Sequence, residues 1–158
     1  MLTAIQQLQL RDVIRNESMA LDTLKRVKAA GFDGIELNRF MLNPLPPAIR
    51  LMTRLAGMPM GQGAKLDWMH LLDASDLQVV AVHSDLGSIL RDPDAIIQDA
   101  MKYKTDTIVM TGMHHFDYSD RAAVEVLIDQ LNQAGGLLLD ADLRLLYHNH
   151  NSEFRHID

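Results

Sequence analysis

The sequence has 158 residues, 47% of them hydrophobic and 23% charged. These are the proportions of an ordinary folded domain, here expected to span 1–158 and to bury about 70% of the surface its unfolded form exposes, and not of a disordered, collagen-like or coiled-coil chain. Fifteen Lys and Arg against twenty-one Asp and Glu leave a formal charge of −6, and there is no cysteine, so nucleic acid and anionic membranes are not expected partners, and disulfides, thiol catalysis and Cys-ligated metals are excluded.

Apolar runs of strand length alternate with helical patterns. Met1 to Leu10 lacks the basic and long apolar regions of a signal peptide, which makes a cytoplasmic location the expectation. Ala4 to Leu10 reads as the first strand, with Ile5, Gln7 and Gln9 alternating with Gln6, Leu8 and Leu10. Asn16 or Ser18 then caps a helix carrying Leu21, Leu24 and Val27 inward, and Gly31 supplies its left-handed end. Phe32 to Leu37 is the second strand. Asn43-Pro44-Leu45-Pro46-Pro47 breaks the chain ahead of a short helix over Ala48 to Ala56 and a glycine-containing stretch from Gly57 to Gly63. Met52, Met58 and Met60 in this region read as adaptable packing.

A helix over Lys65 to Ala74 leads into a third strand, Leu77 to His83, whose run of Val79, Val80, Ala81 and Val82 fits a parallel strand covered on both faces. Asp92-Pro93 has the form of an N-cap followed by Pro at the first helical position, and Ile96, Ile97, Ala100 and Met101 form the expected inward stripe. Thr107 to Met110 is the fourth strand. Ser119 or Asp120 opens a helix with Val124, Leu127, Ile128, Leu131 and Leu138 inward, weakened near its end by Gly135-Gly136 at roughly 1 kcal/mol per glycine. Leu143 to Asn149 is the fifth strand.

Five strands joined by four helical connections, with no tight hairpin, predict a parallel sheet, either open and doubly wound or part of a (β/α)8 barrel. Polar groups collect where such folds build sites, at the carboxyl ends of the strands: Gln7 and Gln9, Glu36 and Asn38, His83 and Asp85, His114 and His115, then His148, Asn149 and His150. Arg11, Arg39 and Arg91 also follow strands and could hold a phosphate in bidentate fashion, although surface positions are the commoner explanation. No glycine-rich phosphate motif follows the first strand, and no serine sits in a Gly-x-Ser-x-Gly elbow.

The segment Leu146-Tyr147-His148-Asn149-His150-Asn151-Ser152-Glu153-Phe154 resembles the Tyr-His-Asn-His-x-x-Glu-Phe segment of the sugar phosphate isomerase/epimerase family, the xylose-isomerase-like TIM barrels. Gln7-Leu8-Gln9-Leu10-Arg11-Asp12, Ala30-Gly31-Phe32-Asp33-Gly34-Ile35-Glu36-Leu37 and Val82-His83 resemble further segments of that family in the same order. The resemblance implies a partial (β/α)8 barrel of about five parallel strands, lacking the last three. It also implies a small sugar or polyol substrate, a divalent metal (Mn, Mg, Co or Zn) acting as Lewis acid, and proton transfer next to a carbonyl. On the matching positions it makes Glu153 the metal ligand or base. His148 and His150 become groups orienting the substrate, and Glu36, His83, Gln9 and Asn149 its contacts.

In the family most metal ligands lie on strands six to eight, so the resemblance carries at most one ligand onto this sequence. An open fifth strand calls for a cover, from a homo-oligomer or from a missing C-terminal half. Two rival readings are a catalytically silent half-barrel acting as an oligomeric or sugar-binding module, and an endonuclease-type phosphodiester hydrolase of the same fold. The acidic charge balance argues against the second. His156 and Asp158 are expected to fray.

Overall fold

The computed structural model describes residues 2–42, 48, 51–52, 55, 66–111, 113 and 116–154. Five strands, β1 (Ala4–Gln6), β2 (Gly34–Asn38), β3 (Gln78–Ser84), β4 (Thr107–Thr111) and β5 (Arg144–His148), form one sheet in the order β1-β2-β3-β4-β5. They are parallel, with Ala4 opposite Gly34 at one end of the sheet and Thr107 opposite Arg144 at the other. The chain divides into two compact units, Met1–Val82 and His83–Asp158.

In the first unit, α1 (Glu17–Ala29) is capped by Asn16, whose side chain accepts from the Met19 N–H at 2.9 Å. Ala20, Leu24 and Val27 form its buried stripe, and Gly31 at φ +95° ends it in the left-handed conformation that glycine adopts without cost. A second helix, α2 (Arg39–Leu42), follows β2 directly. The next, α3 (Trp68–Ser75), starts at Asp67, which caps the His70 N–H. Lys28 ties α1 to the end of α3, its Nζ lying 2.6 Å from the Asp76 carbonyl and 2.9 Å from its carboxylate. Leu24, Ile35, Leu37 and Leu71 are fully buried, each worth about 1.5–3 kcal/mol of transfer free energy.

The second unit repeats the capping chemistry. Asp85, Asp92 and Asp120 cap α4 (Leu86–Arg91), α5 (Pro93–Tyr103) and α6 (Arg121–Leu139) through the N–H groups of Ser88, Ala95 and Ala123. Ile89, Ile96, Ile108, Met110 and Leu138 are fully buried. Arg144 opens β5 by reaching Asp106 Oδ1 at 2.8 Å and Thr107 Oγ1 at 2.9 Å. That contact holds the Asp106 carboxyl below its usual range, chiefly through the guanidinium hydrogen bond.

Several expectations shift. The first strand stops at Gln6, because Gln7 to Leu10 turns into a 3-10 helix; the period-two pattern was compatible with either. Met101 is 72% exposed and Ile128 49% exposed: in α5 the stripe runs through Ile96, Ala100 and Tyr103, and in α6 through Leu127, Ala134 and Leu138. Both follow the 3.6-residue period, which carries the neighbours of a buried position round to the outside. Two short helices, α2 and α4, add to the four connections expected. Gly135 and Gly136 lie inside α6 without ending it. The expected helix over Ala48 to Ala56 and the Gly57 to Gly63 stretch fall mostly outside the described residues. Of that region, Ala48, Leu51, Met52 and Leu55 are helical and exposed.

Candidate functional site

Within the second unit, β3, β4 and β5 deliver aromatic and ionisable side chains at their carboxyl ends. His83, the penultimate residue of β3, is 3% exposed, and its Nδ1 lies 3.5 Å from Thr111 Oγ1 at the end of β4. The His83 ring meets that of His148, the last residue of β5, edge to face with centroids 5.8 Å apart. His148 in turn stacks on His150 at 4.9 Å and 19°. The expected two-residue spacing on one face thus holds in space, although the strand ends at His148.

Beyond β5 the chain makes a 3-10 turn, Asn151–Phe154, that carries Glu153 back toward the strand. Its side chain is only 11% exposed, with Oε1 3.9 Å from His150 Nδ1. Tyr147 Oη donates to Glu153 Oε1 at 3.2 Å and lies 2.7 Å from Tyr118 Oη, which accepts the Met113 N–H at 3.0 Å. A carboxylate only accepts hydrogen bonds, so the Tyr147 proton goes to Glu153 and the Tyr118 proton to Tyr147. The result is a one-way chain of donors ending on the carboxylate. Burial, reinforced by Tyr118 and then by Glu153, pushes the Tyr147 phenol far above its ordinary range, so it stays a donor throughout the physiological pH range.

Tyr118 and Thr111 were not among the residues singled out from the sequence. Tyr118 is an isolated aromatic residue just ahead of a helix cap, and no local pattern announces its partner 29 positions away. Of the other sequence candidates in this unit, Asn149 is exposed and its amide nitrogen lies 3.4 Å from the His150 carbonyl. His114, His115, His156 and Asp158 lie outside the described residues.

The first unit contributes a separate set. Gln9 is exposed and Glu36 is half-buried in β2. Gln7, fully buried, accepts the Asn38 backbone N–H on Oε1 at 2.7 Å. Its side chain thereby extends the β1–β2 ladder one step past the last backbone pair, Gln6 opposite Glu36.

Among the described residues no three His, Asp or Glu side chains converge on a point where a cation could sit. Glu153 is the one carboxylate of the cluster in the second unit, and a lone carboxylate beside an imidazole 3.9 Å away falls short of the three or more ligands that a divalent metal takes from a catalytic protein site. The implied metal therefore does not fit the donor set of the described residues.

Neither a protein-family model nor a curated protein sequence matches the chain. Among solved structures it is similar to a sugar phosphate isomerase/epimerase from Parabacteroides distasonis ATCC 8503, with a TM-score of 0.62 and 16% identity over 98% of this chain and 53% of that one. It is also similar to the probable 3-DHS dehydratase AsbF, involved in petrobactin synthesis, from Bacillus anthracis, with a TM-score of 0.61 and 14% identity over 96% of this chain and 54% of that one. The chain spans about half the length of each. Its fold is that of part of a TIM barrel, with five parallel strands alternating with helices.

Proposed function

We propose that the chain carries part of the active site of a sugar phosphate isomerase/epimerase-like enzyme, in which Glu153 moves a proton at the carbon next to the carbonyl of a small polyhydroxylated substrate. One observation supports this above the others: Glu153 is a nearly buried carboxylate held as an acceptor by Tyr147, beside a cluster of three imidazoles. In the forward step the Glu153 carboxylate takes the proton from the α-carbon, and the C–H electron pair moves into the carbon–carbon bond as the carbonyl becomes an enolate. An imidazole N–H of His148 or His150 meets the developing oxyanion. Isomerisation is completed when Glu153 returns the proton to the former carbonyl carbon and the α-carbon hydroxyl passes its proton, by way of the imidazole, to the enolate oxygen; epimerisation is completed when an acid other than Glu153 protonates the α-carbon from the opposite face.

The Tyr118–Tyr147 chain fixes the orientation of the carboxylate. A divalent metal on Glu153 requires further ligands than the described residues supply, so no step is routed through one. The test is turnover of a panel of aldoses, ketoses and their phosphates with and without added Mn. Glu153→Gln should lower the rate about 10²–10⁴-fold, the range of a removed general base; equal rates for the two proteins refute the role.

That no cation donor set converges among the described residues favours a second reading, a silent half-barrel that binds sugars without turning them over. Binding of panel members with no turnover by the parent protein identifies that case. Under either reading β5 lies at the edge of the sheet, with Leu146 51% exposed, and its cover is another protein surface, in a homo-oligomer or from a C-terminal half.

A further inference from the structure

Two side chains at the carboxyl ends of β1 and β2 carry hydrogen-bond donors that nothing among the described residues satisfies. Gln7 is 0% exposed and Asn38 2% exposed. Gln7 Nε2 and Asn38 Nδ2 have no hydrogen-bond partner among the described residues. The Asn38 N–H, donating to Gln7 Oε1 at 2.7 Å, sets the orientation of the Gln7 amide; the nitrogen is therefore the end left over. Buried amide donors are almost always paired in folded proteins, and an unpaired one costs the full desolvation of the group. A leucine or methionine of similar volume would avoid that penalty. Two such groups, one in the turn that follows β1 and one at the last residue of β2, are linked by the Gln7–Asn38 hydrogen bond at the carboxyl ends of parallel strands, where α/β proteins place their ligands.

We propose that the Gln7 and Asn38 side-chain amides form a donor pair that binds an acceptor oxygen, a hydroxyl, carbonyl or carboxylate, of a small polyhydroxylated ligand. Amide N–H groups repel cations, so the pair selects an oxygen-rich neutral or anionic molecule and not a metal. Both nitrogens are enclosed, so the ligand reaches them as the covering side chains part. The ligand class rests on the proposed function, whereas the donor pair itself does not involve Glu153.

The experiment follows the side-chain NH₂ resonances of Gln7 and Asn38 by ¹H–¹⁵N NMR during titration of the full chain with D-xylulose, D-fructose and D-fructose 6-phosphate. Thermal unfolding of Asn38→Leu and of Asn38→Asp is measured in parallel. Asn38→Leu leaves the Gln7 hydrogen bond to the backbone in place and removes the side-chain amide that carries the orphaned donor. The expected result is that at least one sugar shifts both pairs of resonances, that Asn38→Leu abolishes the shift of the Gln7 pair, and that the melting temperature of Asn38→Leu equals or exceeds that of the parent. Asn38→Asp, which puts an acceptor where the donor was, should lose the same response. Resonances unmoved by every sugar overturn the proposal. So does a lowered melting temperature of Asn38→Leu together with persistent water-to-amide cross-relaxation, which identifies a sealed structural water instead. A parent protein that shows these shifts but no turnover refutes the catalytic role of Glu153 and leaves the donor pair standing.

Discussion

Replacing Gly34 by alanine tests how closely β2 and β3 approach. A methyl group built on Gly34 lies 2.5 Å from the Gln78 carbonyl oxygen, 2.8 Å from Val80 Cγ1 and 3.2 Å from Gln78 Cγ. The Val80 and Gln78 side chains can turn aside, but the carbonyl oxygen belongs to the backbone of the neighbouring strand and cannot retreat without moving it. Gly34 is also pinned from the other side, where its N–H donates to the Thr3 carbonyl at 3.2 Å and its partner in the β1 register is Ala4.

Overpacking of a dense interior costs typically about 1–3 kcal/mol, and a contact against backbone belongs at the upper end. The reduced freedom of the unfolded chain returns about 0.4–1 kcal/mol. The net expectation for Gly34→Ala is a loss of about 2 kcal/mol, or a melting temperature lowered by roughly 4–8 °C in a chain of this size. Urea unfolding followed by circular dichroism, with an unchanged m-value, measures it. A loss under about 0.5 kcal/mol refutes the argument, because it means that the strands separate at little cost.

The same substitution has the opposite sign in α6, where nothing lies within 4 Å of a methyl group on Gly135 or Gly136. The double change to alanine should raise stability by about 1–2 kcal/mol in the same unfolding assay. Asp106→Asn removes the exposed Arg144 pair and should cost no more than about 1 kcal/mol at neutral pH. Because the folded-state pKa of Asp106 lies below the ordinary aspartate value of 3.8, its contribution is complete above that value and fades as pH falls through the folded pKa, so the parent and variant melting temperatures should converge in strong acid. In alkaline titration followed by tyrosinate absorbance, Tyr147→Phe should remove amplitude only from the most alkaline part of the curve, since burial raises the Tyr147 pKa well above the ordinary tyrosine range. Its contribution to stability is present below pH 10 and is lost as pH rises toward the folded value.

The sequence by itself determined the alternation of strands and helices, because a continuous apolar run such as Val79 to Val82 and a capped amphipathic stripe such as Asp92 to Tyr103 are local signals, each readable within one element. It also marked His83, His148, His150 and Glu153, which the fold gathers in the second unit. The tertiary structure alone decided what needs a partner distant in the chain. Gln7 leaves the strand pattern to serve the Asn38 backbone 31 positions on. Tyr118 and Tyr147 find each other across α6, and Thr111 meets His83 from the neighbouring strand. The absence of a convergent cation donor set among the described residues is likewise a fact of three dimensions, since ligand chemistry depends on where side chains meet and the order of residues fixes only which ones are available.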